Sequence, residues 1–207
     1  MNPMAIEQQS MAIIESELQT ELPDEIKPIV MRVIHATADF SFADTLTFTP
    51  GIVNRMRALI TQGAAIITDT NMALAGINKS ALARAGATAM CSMASESVAE
   101  IARARGETRA RICMEQALSL PGPRLLVCGN APTFLFPLIE QAEAHRDIPE
   151  DLAVIGVPVG FVNVIEAKER LLASNVPCIV ARGRRGGSTV AAAIVNALLY
   201  GIPGVRT

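Results

Sequence analysis

Five short apolar runs rich in β-branched residues, at 65–68, 87–91, 124–128, 152–157 and 177–181, are interleaved with helix-period segments at 95–105, 107–120, 131–145, 162–174 and 188–200. That pattern leaves few folds open. Continuous apolar runs of strand length read as strands buried on both faces. Their alternation with helices predicts a parallel sheet covered on both sides. The expected class is α/β in three layers, α/β/α, around a five-stranded parallel sheet. Gly201 supplies the stop for the final helix.

Residues 1–62 read as helices packed on an α/β core of 63–207, the two together forming a single domain. Pro23 opens a helix whose Ile26, Ile29, Val30, Val33 and Ile34 repeat at helical spacing as one stripe. Another helix starts at Thr49 and Pro50. The first segment carries Ile6, Ile13, Ile14 and Leu18 at looser spacing, so it docks rather than stands alone. With 207 residues, 50% apolar and 18% charged, the chain has the length for one well-buried core.

Composition narrows the partners. A net charge of -2, with basic residues scattered, provides no field for DNA, RNA or an anionic membrane, and 3% aromatic residues make a poor base-stacking platform. No run reaches the roughly 18 apolar residues of a membrane span, and no signal segment is evident, so the expected compartment is the cytoplasm. Cys91, Cys113, Cys128 and Cys178 stand apart with no CxxC pair and read as buried thiols. Two histidines exclude an imidazole cluster, and no metal site is expected.

Ligands of open parallel sheets settle at the carboxyl ends of the strands. The loops there hold Asp69 and Thr70, then 129–132 (Gly-Asn-Ala-Pro), then 158–161 (Pro-Val-Gly-Phe), then 182–188 (Arg-Gly-Arg-Arg-Gly-Gly-Ser). The last places Arg182, Arg184 and Arg185 within four residues, followed by Gly186, Gly187 and Ser188 as an expected N-cap. Forked guanidinium groups beside bare amides at a helix N-terminus suit a carboxylate or a phosphate equally. A solvated basic turn is the plainer reading of the same residues.

His35 borders the apolar stripe of its helix three residues after Arg32, which puts both on one face. Such a histidine is either structural or a proton carrier, since imidazole ordinarily titrates near neutral pH. His145, among Glu143, Arg146 and Asp147 at a helix end, complements the helix dipole. There is no GxSxG elbow, no phosphate-binding GxxxxGK[ST] loop, and no complete dinucleotide fingerprint.

In order and spacing, several pieces resemble the precorrin-8X methylmutases over nearly the whole chain. They are Ser10 with Ile13-Ile14, Arg32-Val33-Ile34-His35-Ala36, Phe48-Thr49-Pro50, Thr68-Asp69-Thr70-Asn71-Met72, Gly129-Asn130-Ala131-Pro132-Thr133, Gly156-Val157-Pro158-Val159-Gly160-Phe161-Val162 with Glu166 and Lys168, and the 182–188 loop. Ala38-Asp39 and Asn163-Val164-Ile165 depart from the family pattern. The resemblance implies a flavodoxin-like fold, a homodimer with its tetrapyrrole substrate at the subunit interface, and no organic cofactor. It implies an isomerase of cobalamin (vitamin B12) biosynthesis that moves a methyl group from carbon 11 to carbon 12 of precorrin-8X or its cobalt counterpart. The histidine matching His35 is then the proton donor and acceptor, and Ser10 and Arg32 match substrate contacts. Cationic Arg32 would favour neutral imidazole unless a substrate carboxylate lies between them.

The substrate's carboxylate arms are expected on Arg182, Arg184, Arg185, Lys168 and the backbone of Gly186, Gly187 and Ser188. Thr37, Asp69, Thr70, Asn130, Ala131, Val159, Gly160 and Phe161 are expected around the ring. Two rival readings use the same residues: a tetrapyrrole carrier without catalysis, and a flavodoxin-like module holding a flavin or nucleotide phosphate.

Overall fold

The structure, a computed structural model, describes residues 3–206, with side chains from Met4 onward. Its sheet has six strands, β1 (Leu46–Phe48), β2 (Ala65–Thr68), β3 (Thr88–Met90), β4 (Arg124–Cys128), β5 (Leu152–Gly156) and β6 (Cys178–Ala181), in the order β1-β6-β5-β4-β2-β3. All five strands expected from the apolar runs are present and pair in parallel. Strand β1 corrects both the strand count and the reading of 1–62 as helices alone. It pairs antiparallel with β6, Leu46 opposite Ala181 and Phe48 opposite Ile179. Three residues are too few to show a strand period, and only pairing to β6 makes this segment extended. It thereby covers an edge that would otherwise expose unpaired amides. Without β1, the strand order is that of the flavodoxin-like doubly wound fold, with its reversal between β2 and β4.

Side-chain alternation along the strands divides the interior. Leu125 and Val127 point to one face of β4, Leu126 and Cys128 to the other, each joining a separate apolar cluster. The first face is covered by α2 (Lys27–Thr37), α4 (Ile52–Thr61) and α11 (Ser188–Tyr200). The second is covered by α7 (Glu96–Arg105), α8 (Arg109–Ser119), α9 (Phe136–Glu143) and α10 (Val164–Ala173). Helix α11 is the central element of its layer because nine of its side chains are small or β-branched and nine are buried, which lets α2 lie close against it. Outermost, α1 (Pro3–Glu17) rests on α2 through buried Ile14 and leaves Ile6 and Ile13 exposed.

Several boundaries differ from the sequence reading for local reasons. Pro23 does not open α2; the helix begins at Lys27, with Pro28 in its first turn, where a missing N–H is harmless. The segment at 49–50 precedes α4, which starts after Gly51 in the left-handed region. The run 131–145 is split into a 3-10 turn at Pro132–Phe134 and α9, each with proline at its start. Short helices α3 (Phe42–Thr45), α5 (Asn71–Gly76) and α6 (Lys79–Arg84) were not legible; the last two exist through caps, Thr70 accepting from Ala73 N and Asn78 from Ala81 N. Among the described residues, no helix is long and apolar enough to cross a membrane.

Candidate active site

His35 stands in the last turn of α2, just before Ala38 turns the chain in the left-handed conformation (φ 53°). Its imidazole is exposed, and Nδ1 lies 2.8 Å from Ser10 Oγ on α1. A hydroxyl can donate or accept, so this bond survives either tautomer of the ring. Nε2 has no protein partner among the described residues. The pair lines a groove of about 340 Å³ whose other walls are largely apolar, including Ile6, Ile13, Ile34 and Phe40.

Arg32 does share the face of His35, but a protein carboxylate meets it. Its Nη2 donates to Glu7 Oε1 at 2.5 Å, and its guanidinium lies 4.9 Å over the Tyr200 ring. Arg206 reaches the same carboxylate oxygen at 2.9 Å and the same ring at 5.2 Å. Burial pushes the Glu7 carboxyl up, but the bond and charge of Arg32, with help from Arg206, hold it below its ordinary value. The cation beside His35 is therefore balanced before any ligand arrives. Glu7, Tyr200 and Arg206 were missed by sequence reasoning. A signal existed, since Glu7 and Ser10 are spaced i,i+3 on α1 as Arg32 and His35 are on α2, and the two pairs meet.

Thr37 closes the helix, donating to Val33 O and accepting from Asp39 N. Asp39 leads to the arginine loop: its carboxylate accepts from Arg185 Nη1, which also reaches Ser41 Oγ at 2.5 Å. Arg182 is paired with Glu169 through bonds of 3.0 and 2.5 Å, and Arg184 lies 5.3 Å over the Phe161 ring. The side chains of Arg182 and Arg185 are 55% and 61% exposed. Surface pairs of this kind contribute about 0–1 kcal/mol, so an incoming carboxylate can exchange for them at little cost.

Ser188 is not the N-cap. That position falls to Gly187, while Ser188 stands in the first turn with Oγ 2.8 Å from Thr70 Oγ1. Gly186 and Gly187 have φ of 156° and 124°, and a Cβ on Gly186 would lie 2.2 Å from Val157 O. Such a chain path against the 157–160 loop leaves the serine one position too late to cap. Gly160 N donates to Arg184 O, and Val159 and Phe161 are exposed, Phe161 at 84%.

Two expected substrate contacts are instead buried. Lys168, on the inward stripe of α10 with Val164, Ala167 and Leu171, is 0% exposed, and its Nζ donates to Gly183 O and Arg185 O at 2.8 and 2.7 Å. Burial pushes its ammonium down to about 8. Asp69 is also 0% exposed; its carboxylate accepts from the amides of Gly129, Asn130 and Ala131 at 2.7–2.8 Å. Burial raises this carboxyl against the opposing pull of those amides. Asp69 spans the crevice between β2 and β4, the point where doubly wound folds take nucleotide phosphate. A fixed carboxylate already uses the amides there, and its charge opposes phosphate, which argues against the flavin or nucleotide reading. Asn130 remains exposed and Ala131 half-buried beside it.

The strand order and the appended helical layer define a doubly wound α/β protein whose exposed imidazole lies outside the sheet, on a helix that Asp39, just beyond its end, ties by one ion pair to an arginine loop at the strand ends. A family model described as Precorrin-8X methylmutase matches residues 5–201. A cobalt-precorrin-8 methylmutase of Salmonella typhimurium is 40% identical over 205 residues, covering 96% of this chain and 95% of that protein. A precorrin-8X methylmutase of Pseudomonas aeruginosa is 39% identical over 197 residues, covering 94% and 93%. The crystal structure of a precorrin-8X methylmutase from Thermus thermophilus superimposes with a TM-score of 0.84 at 37% identity, covering 95% of this chain and 96% of that one. The chain belongs to the precorrin-8X methylmutase family.

Proposed function

We propose that this protein is an isomerase of cobalamin biosynthesis that converts precorrin-8X, or cobalt-precorrin-8, by moving one methyl group from carbon 11 to carbon 12 of the ring. One C–C bond breaks, one forms, and no atom is gained. His35 lends a proton to the conjugated ring through Nε2 and takes it back, while Ser10 keeps Nδ1 bonded throughout. The single observation that carries this reading is the Ser10–His35 pair at the wall of an apolar groove. General acid–base help of this kind contributes about 10²- to 10⁴-fold. Arg184 and Arg185, with the backbone of 186–188, receive carboxylate arms of the ring, and Arg32 shares itself between Glu7 and a further arm.

The working unit in this reading is a cytoplasmic homodimer, the second copy covering the exposed apolar residues of α1 and of the 159–165 segment. Sedimentation should give twice the chain mass. Incubating the protein with precorrin-8X and following the absorption spectrum tests the reaction itself. Appearance of the corrin chromophore of hydrogenobyrinic acid supports the isomerase; a shifted substrate band without conversion supports the carrier instead.

A further inference from the structure

The 182–187 loop is exposed and glycine-rich, yet it must present its cations in one arrangement. Its three central carbonyls are turned inward. Gly183 O and Arg185 O accept from Lys168 Nζ, and the carbonyl between them, Arg184 O, accepts from Gly160 N at 3.2 Å. At either end, Arg182 N donates to Thr45 O and Gly187 N to Val157 O. The N–H groups of Arg184, Arg185 and Gly186 have no backbone partner among the described residues and adjoin the bare first-turn amides of α11. Peptide units whose oxygens face in must turn their N–H groups the other way.

We propose that Lys168 is the positioning residue of the anion loop: from inside the protein, its ammonium draws two carbonyls inward and so aims the loop's amides and guanidinium groups at the substrate's carboxylates. A fully buried lysine is costly and is kept only where its charge is used. Here one point charge with several donors binds two carbonyls of a tight turn at once, which no neutral side chain of that length achieves. Gly186 lets the turn press on Val157 O and Pro158 O, where a Cβ would come within 2.2 and 2.8 Å. The loop is thus clamped between α10 and the 157–160 segment. For its ligand this assignment rests on the methylmutase reading; for the clamp it rests on geometry alone.

The test compares wild type with Lys168→Met, which keeps the stem and removes the charge. Amide exchange is followed at Gly160, Arg182 and Gly187, whose bonds depend on loop position, and hydrogenobyrinic acid is titrated by absorbance. Expected in Lys168→Met are exchange at those three amides at least ten-fold faster with strand β4 unchanged, affinity at least ten-fold weaker, and a single-turnover rate at saturation within three-fold of wild type. Unchanged loop exchange overturns the proposal, as does unchanged affinity or a collapse of the bound-state rate. If the variant does not fold, wild type is compared at pH 7 and 9.5. The groups facing the ammonium are Cys128, Asp69, Glu169 and the loop's arginines; burial holds the Cys128 thiol well above its ordinary value and Arg182 holds Glu169 below its own, whereas Lys168, at about 8, changes charge within that range. Protection factors at the three amides should fall relative to β4; equal protection overturns the clamp. Wild type that binds no corrinoid sinks the methylmutase reading and leaves the exchange arm to judge Lys168.

Discussion

Asp39, four residues beyond His35, holds Arg185 of the loop after β6, so the end of the imidazole-bearing helix and the anion loop are tied by one ion pair. Bonds from Ser41, with the Arg185 charge, keep the Asp39 carboxyl below its ordinary value of 3.8. A carboxyl lowered in this way keeps its pair at all higher pH and loses it only as pH falls through the lowered value. In a carboxyl NMR titration the Asp39 midpoint should lie below 3.8 and move upward in Arg185→Ala. An unmoved midpoint would show that the guanidinium is not where this pair puts it.

The same arginine is expected to act in binding rather than in the chemical step. Losing one charge-assisted bond costs roughly 1.5–3 kcal/mol, or about 10- to 150-fold in affinity. His35→Ala should instead lower the single-turnover rate of bound substrate by about 10²- to 10⁴-fold. Ser10→Ala leaves the ring present but unoriented and should fall between wild type and His35→Ala. Equal losses of bound-state rate in Arg185→Ala and His35→Ala would refute the division of labour.

How far the sequence discloses this site depends on the kind of relationship that builds each part. The parallel strands were readable because β4 and β5 are apolar on both faces, and such runs have one structural use. Strand β1 was not, since its extension is imposed by β6 across more than 130 residues of chain. His35 was visible as a candidate from its place beside an apolar stripe, but Glu7 as counter-ion of Arg32 depends on how α1 lies on α2. In the sequence, Asp69 stands at a strand's carboxyl end and Lys168 in a piece shared with the methylmutases, and both positions suggest a substrate contact. Their burial assigns both to backbone, which composition alone does not reveal.

Asp69 offers a direct test of that reassignment. In Asp69→Ala, three amides at 129–131 lose their acceptor, that of Gly129 in a fully buried place and those of Asn130 and Ala131 in a partly buried one. Each unsatisfied group costs about 1–3 kcal/mol, so a loss of roughly 3 kcal/mol or more is expected, read as a lower urea midpoint. The emptied nest is then free for an anion. Added sulfate should raise the melting temperature of the variant more than that of wild type; an equal rise would mean the amides re-pair among themselves.

Lys168 makes stability and binding respond to pH in opposite directions. Its folded-state value, about 8, lies below the ordinary 10.5, so between these the folded chain binds fewer protons than the unfolded one. Stability from this group therefore rises with pH across that window, by up to roughly 3 kcal/mol for a fully buried amine. The buried thiols work the other way: burial raises Cys113 to about 11 and Cys178 to about 12, while unfolded thiols ionise sooner. Subtracting the urea stability of Lys168→Met from that of wild type at each pH removes the thiol contribution. The difference should climb from pH 8 to 10.5 while wild-type affinity for hydrogenobyrinic acid declines over the same range. A flat difference would mean that the amine does not titrate inside the fold, and the clamp would then hold its two carbonyls unchanged to high pH.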